Sequence, residues 1–145
     1  APADPQGARR RRGFYRELAD ALIAFAEHEF KLSRREPDGA TYRDHLLAAQ
    51  KAGATVSELD GPAPPRALLY VWGWFIELST PRTGTGFGGL NPIPWAELHA
   101  WARLRGIAPT PFEIDVLRRL DQALLTAHSD HGRHRSSHQH RDHRA

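Results

Sequence analysis

The chain has 145 residues, of which 40% are hydrophobic and 26% are charged, a composition typical of one soluble globular domain. It contains no cysteine, which excludes disulfides, a thiolate nucleophile and a cysteine-built zinc site, and which fits a reducing cytoplasm. The longest uncharged apolar run, residues 67–76, is about half of the ~20 residues that cross a bilayer, and no apolar segment typical of a signal peptide follows the N-terminal arginines.

The net charge of +3 is carried by the two ends of the chain. Residues 1–12 carry +3 and residues 129–145 carry +2, which leaves −2 for the body between them. A body without excess positive charge does not favour a nucleic-acid-binding domain. We expect the basic leader at 1–12 and the histidine- and arginine-rich tail at 128–145 to be disordered, because neither has apolar side chains that could pack.

Helical periodicity predicts an all-α fold, a small bundle of about five helices within a single domain at 13–127. The first helix is predicted near residues 13–32, where apolar residues from Phe14 to Phe30 recur at helical spacing. The second is predicted near 41–52, because Thr41 followed by Asp44 three residues later forms a variant of the capping box.

The third predicted helix, near residues 65–79, contains "ALLYVWGWFIEL", the most apolar stretch of the chain. A helix that is apolar on every side is either fully buried or contacts another molecule. One side is predicted to be core, and it holds Leu68, Val71, Trp72 and Phe75. Tyr70 and Trp74 lie on the other side, beside the charges of Arg66 and Glu77, and are predicted to bind a partner. The alternative is that the fourth helix covers this second side as well.

Two further helices are predicted near residues 94–105 and 110–127. Pro94 begins the fourth helix and Gly106 ends it, while Thr110 and Glu113 form a capping box at the start of the fifth. The loop before the fourth helix contains the letters G-x-G-x-x-G at Gly84, Gly86 and Gly89. A dinucleotide site needs a strand before these glycines, whereas a helix precedes them here, so we interpret the segment as a structural loop.

No motif predicts catalysis, a cofactor or a metal site. His28, His45 and His99 belong to no recognisable acid–base or nucleophile motif, and His28 is interpreted as part of a solvated face. Six histidines between His128 and His143 suit weak zinc or nickel binding, but a solvated tail is the preferred interpretation. The arginine run at 9–12 suits phosphate contacts or, more simply, a basic leader to the first helix.

Residues 64–125 resemble the tail assembly chaperones of long-tailed bacteriophages and related prophages. The resemblance is carried by W-x-W-F at 72–75, Arg82 with its glycine loop, "NPIPWAE" at 91–97 and a threonine-proline-capped helix containing "LRRLD" at 117–121. It implies a non-enzymatic protein of the bacterial host cytoplasm that keeps the tape measure protein soluble and helps to recruit tail tube subunits. The predicted partner-binding residues are Tyr70, Trp74, Arg82 and Trp95.

Two other functions remain open from the sequence. One is a small nucleic-acid-binding protein of a phage or mobile element that uses its arginine-rich ends, and the other is a structural tail or connector subunit. In many chaperones of this kind two products arise by a programmed frameshift. The absence of methionine suits the downstream part of such a pair, and it suits a trimmed chain equally.

Overall fold

The computed structural model describes residues 2–84 and 89–139, and these residues form five α-helices and no β-strand. The helices are α1 (Pro5–Leu32), α2 (Tyr42–Lys51), α3 (Leu69–Ser79), α4 (Trp95–Arg105) and α5 (Pro111–Gln139). Short 3₁₀ turns lie at Ser57–Leu59 and Arg66–Leu68, the second leading directly into α3. The predicted all-α fold class is therefore confirmed.

The local signals that start and end helices act as the sequence predicts. At the start of α2 the Asp44 amide donates to the Thr41 hydroxyl (3.2 Å), and the Thr41 amide donates to the Asp44 carboxylate (2.9 Å). Thr110 and Glu113 exchange the same two bonds at the start of α5, at 3.2 and 2.9 Å. Gly106 ends α4 with φ of 64°, a left-handed conformation that glycine adopts without strain.

The two outer helices are longer than predicted. α1 begins at Pro5 instead of near residue 13, because Asp4 accepts a hydrogen bond from the Gln6 amide (3.0 Å) and Pro5 suits the first helical position. α5 continues past residue 127 to Gln139. Residues 9–13 and 128–130 are exposed, so these extensions gain little from tertiary packing.

The histidine- and arginine-rich tail extends partly beyond the described part of the chain. His140 and His143 lie outside it, as does Gly86 of the glycine loop. That both ends of the chain are dispensable for folding stays a prediction.

The hydrophobic core lies where α1, α3 and α5 meet. Its fully buried side chains are Leu22 and Ala26 of α1, Val71 and Phe75 of α3, and Val116, Leu117 and Leu120 of α5. Of the four predicted core residues in and before α3, Leu68, Val71 and Phe75 are buried. The fourth, Trp72, is half-buried and lies with its ring centroid 5.2 Å from that of Phe25 and 6.0 Å from that of Phe75.

His28, interpreted from the sequence as part of a solvated face, is half-buried and contacts another segment of the chain. Its Nε2 lies 2.9 Å from the carbonyl oxygen of Glu58, in the 3₁₀ turn after α2. Gly61 packs against the imidazole so closely that a Cβ there would lie 2.2 Å from His28 Nδ1. The histidine therefore ties the α2–α3 connection to α1.

Candidate partner-binding groove

An open groove of about 820 Å³ lies between the N-terminal half of α1 and the start of α5, and the 3₁₀ turn before α3 together with Tyr70 completes its lining. We call it the aromatic groove. Its main apolar lining residues are Phe14, Tyr15, Leu18, Leu68, Tyr70 and Phe112. Among the described residues, no further helix covers the apolar side chains of α1 and α5 at this end of the bundle, so they remain accessible.

Aromatic side chains of the groove stay exposed although they contact one another. Phe14 and Tyr15 are 57% and 49% exposed, and their ring centroids are 5.9 Å apart. The Tyr15 ring lies 5.1 Å from that of Phe112 across the groove, so α1 and α5 share one aromatic surface. Large aromatic groups left exposed around one concave surface are characteristic of protein-binding sites.

Tyr70 stands at the edge of the groove and is held by a polar contact. Its side chain is 47% exposed, and its hydroxyl hydrogen-bonds the carboxylate of Glu113. Partial burial, and then the hydrogen bond to Glu113, raise the pKa of Tyr70 to about 12. The phenol therefore stays protonated and donates this bond at neutral pH.

Glu113 links the edge of the groove to the N-terminus of α5. Burial acts to raise its pKa, but the hydrogen bonds from the Thr110 amide, the Tyr70 hydroxyl and the Thr110 side chain outweigh burial and lower it. The carboxylate thus stays ionised while it caps α5 and orients Tyr70.

Tyr70 and Trp74, two of the predicted partner-binding residues, lie together with ring centroids 5.0 Å apart. Trp74 is half-buried, however, because the ring of Trp101 on α4 packs against it at 5.6 Å. α4 therefore covers this side of α3, which is the alternative that the sequence left open. Only Tyr70 of the pair is largely accessible.

Arg82, also predicted to bind a partner, is buried inside the protein. Its Nη1 lies 2.6 Å from Oδ1 of Asp121 on α5, and the two side chains are 6% and 4% exposed. Arg82 also donates to the Asn91 carbonyl (3.0 Å) and to the Ser79 hydroxyl (3.1 Å). The guanidinium anchors the loop between α3 and α4, so we assign it a structural role instead.

Trp95 is the most accessible of the four predicted residues, at 63% exposed, but it lies on a different surface. The guanidinium of Arg118 stacks on its ring, 3.8 Å from the centroid. Trp95 lines a separate depression of about 370 Å³ together with His99 and Ile107. The predicted residues therefore do not form one site.

The sequence interpretation missed three residues of the aromatic groove. Phe14 was assigned to the apolar side of its helix, and neither Tyr15 nor Phe112 was singled out as a binding residue. One available signal is that Phe14 and Tyr15 are neighbours on a helix, about 100° apart, so that one narrow apolar stripe does not bury both. Their position shortly after four arginines, with only Gly13 between, is a second signal.

The described residues include no group of three or more histidine, aspartate or glutamate side chains arranged to hold a metal ion. Within the same residues, no helix combines the length and the apolar character that crossing a bilayer requires. The aromatic groove, at about 820 Å³, is more than twice as large as the depression beside Trp95, at about 370 Å³.

A family model described as phage tail assembly chaperone matches residues 48–126, just over half of the chain. The match runs from the end of α2 to the middle of α5 and includes Tyr70 and Phe112. It does not include α1, which supplies the other wall of the aromatic groove. Neither the curated proteins nor the solved structures contain a significant match.

Proposed function

The chain belongs to the phage tail assembly chaperone family, and from this premise we propose that it binds an apolar segment of the tape measure protein during tail assembly. Family membership supports a role in tail assembly. The proposal adds the partner, its binding surface and a place of action in the cytoplasm of the bacterial host. The tail tube subunit is the second partner that such a role implies.

The observation that carries the proposal is the half-exposed aromatic surface of the groove. Phe14, Tyr15 and Tyr70 each keep about half of their surface accessible around one concavity. A groove of this kind accepts the apolar face of an amphipathic helix, the recognition mode in which side chains at i, i+3, i+4 and i+7 enter a groove. Covering these rings with a client segment removes apolar surface of both molecules from water.

Holding a client in this way needs no catalytic group. A segment that would otherwise self-associate is shielded while its apolar face occupies the groove, and it is released when the assembling tail offers a better partner. Truncating an aromatic anchor at an interface can reduce the binding free energy by ~2 kcal/mol or more. Removing two such side chains is therefore enough to weaken binding measurably.

The test is co-expression with fragments of the tape measure protein encoded by the same phage or prophage. The wild-type chain is expected to keep a fragment soluble and to co-purify with it, whereas the Phe14→Ala, Tyr15→Ala double variant is expected to lose the fragment. Leu104→Ala is the matched control, because Leu104 is 89% exposed but lies outside the groove. Fragments that stay as soluble with the double variant as with the wild type would contradict the proposal. Capture of the tail tube subunit alone would make that subunit, and not the tape measure protein, the partner.

A further inference from the structure

We propose that the segment held in the aromatic groove is an amphipathic helix with acidic side chains along one flank, which pair with a row of arginines on α1. This inference rests on the proposed function and specifies the chemistry of the client. It is carried by the position, spacing and pairing of the charged side chains around the groove.

The arginine row consists of Arg9, Arg12 and Arg16. Their spacings of three and four residues place them on one side of α1. Arg12 and Arg16 belong to the lining of the groove, next to Phe14 and Tyr15. The row covers about 10 Å along the helix, the length of two turns of a bound helix lying alongside it.

None of the three guanidinium groups of the row forms an ion pair within the described part of the chain. Arg119, on the opposite wall of the groove, is by contrast paired with Asp20 at 2.9 Å. An arginine recognises a carboxylate through two parallel hydrogen bonds, so an unpaired row beside an apolar groove is complementary to a row of glutamate or aspartate.

The two walls of the groove differ in charge. On the α5 wall Asp115 forms no ion pair in the described structure, and Glu113 is committed to Tyr70 and Thr110. A helix with acidic residues on one flank therefore has one favourable orientation, with that flank toward α1. Arginines beside aromatic rings also suit the stacked bases of single-stranded nucleic acid. The carboxylates of Asp115 and Glu113, however, repel a phosphate backbone, which favours a protein segment as the ligand.

The test uses three designed amphipathic peptides of about 18 residues, long enough for five helical turns. They share one apolar face and carry glutamate, glutamine or lysine on the flank. The wild-type chain is expected to bind the glutamate peptide about tenfold more tightly than the lysine peptide, and added salt is expected to reduce the difference. Fluorescence anisotropy of the labelled peptides measures both effects.

Charge reversal provides the decisive variant. The Arg12→Glu, Arg16→Glu double variant is expected to prefer the lysine peptide, which also shows that it is folded and that its groove is intact. Arg10→Glu is the matched control, because Arg10 is also exposed but does not belong to the lining of the groove. It is expected to keep the wild-type preference.

Three results would overturn the inference. The first is that no peptide binds, or that the glutamate and lysine peptides bind the wild-type chain equally. The second is a double variant that keeps the wild-type preference. The third is single-stranded DNA that binds more tightly than the glutamate peptide and is lost in the double variant, which would make the row a nucleic-acid site. A tape measure fragment bound equally by wild type and double variant contradicts this inference alone, whereas one that the wild type does not bind contradicts the proposed function.

Discussion

Arg82 and Asp121 form a buried ion pair, 2.6 Å between Nη1 and Oδ1, that joins the loop after α3 to the middle of α5. The other oxygen of Asp121 accepts the amide of Ile93 (3.0 Å), and Arg82 donates to the carbonyl of Asn91. Three separate sequence motifs thus meet at one place: Arg82, the "NPIP" segment and the "LRRLD" of α5. All three lie inside the family match, and here they position α4 against the bundle.

Asp121→Ala is expected to lower the free energy of unfolding by ~3–5 kcal/mol, because it leaves the guanidinium of Arg82 buried without its counter-charge. Urea denaturation measures the change. Asp20→Ala is the matched control, since the ion pair of Asp20 with Arg119 is similarly short at 2.9 Å but about half-exposed on both sides. It is expected to cost ~1 kcal/mol or less. Equal losses in the two variants would contradict the structural role of Arg82.

Trp74→Ala is expected to reduce stability by about 2 kcal/mol or more, because its ring packs against that of Trp101 on α4. Leu104→Ala, on the exposed surface of α4, is expected to stay within about 0.5 kcal/mol of wild type. Thermal or urea unfolding compares them. A Trp74→Ala variant as stable as the wild type would restore the interpretation of Trp74 as a free surface residue.

Features set by neighbouring residues could be predicted from the sequence. The capping pairs Thr41–Asp44 and Thr110–Glu113 and the left-handed Gly106 depend on contacts within one helical turn, so the letters alone identify them. The start of α1 was predictable by the same rule and was missed, since Asp4 followed by Pro5 is also a helix-start signal.

Features that depend on distant parts of the chain could not be predicted. The sequence alone indicates that Arg82 is an exposed loop residue, because its partner Asp121 lies 39 positions later in the chain. It likewise indicates that the side of α3 with Trp74 is free, because only the folded structure shows that Trp101 of α4 packs there. The aromatic groove likewise exists only because the packing of α1 on α5 leaves Tyr15 uncovered. Hydrophobic periodicity does not show where one helix extends beyond the helix that packs on it.

The tyrosine titration of the chain is expected to contain a component with a pKa of about 12 that Tyr70→Phe removes. Glu113→Gln is expected to shift that component down toward 10.0, the ordinary value, because the hydrogen-bonded carboxylate contributes to the increase. Since the pKa is raised on folding, Tyr70 binds its proton more tightly in the folded chain, and its stabilising contribution is complete below pH 10 and is lost as the pH rises to about 12. Ultraviolet difference titration measures the pKa. A titration curve that Tyr70→Phe leaves unchanged in this range would contradict the contact.

Glu113 gives the opposite pH dependence. Its pKa is lowered in the folded chain, so its contribution to stability is present above its ordinary pKa of 4.5 and is lost as the pH falls through the folded value. Stability measured as a function of acid pH is expected to decline less steeply in Glu113→Gln than in the wild type. Parallel curves for the two proteins would count against the capping role of this carboxylate.

Deleting residues 1–12 and 129–145 together is expected to move the thermal unfolding midpoint by no more than about 2 °C, because the described side chains at 9–12 and 129–130 are exposed and none belongs to the hydrophobic core. Calorimetry or circular dichroism measures the midpoint. A decrease of about 10 °C would show that one of these ends packs on the bundle. The deletion also removes a net charge of +5, so any residual DNA binding is expected to disappear with it.

Photo-crosslinking tests the central claim, that the aromatic groove holds the client, most directly. A photoreactive phenylalanine analogue replaces Phe14 at the groove or Leu104 on the exposed face of α4, and each variant is co-expressed with a tape measure fragment and illuminated. We predict a covalent adduct from position 14, reduced by Tyr15→Ala, and none from position 104. An adduct from position 104 with none from position 14 would contradict the account and place the client on α4.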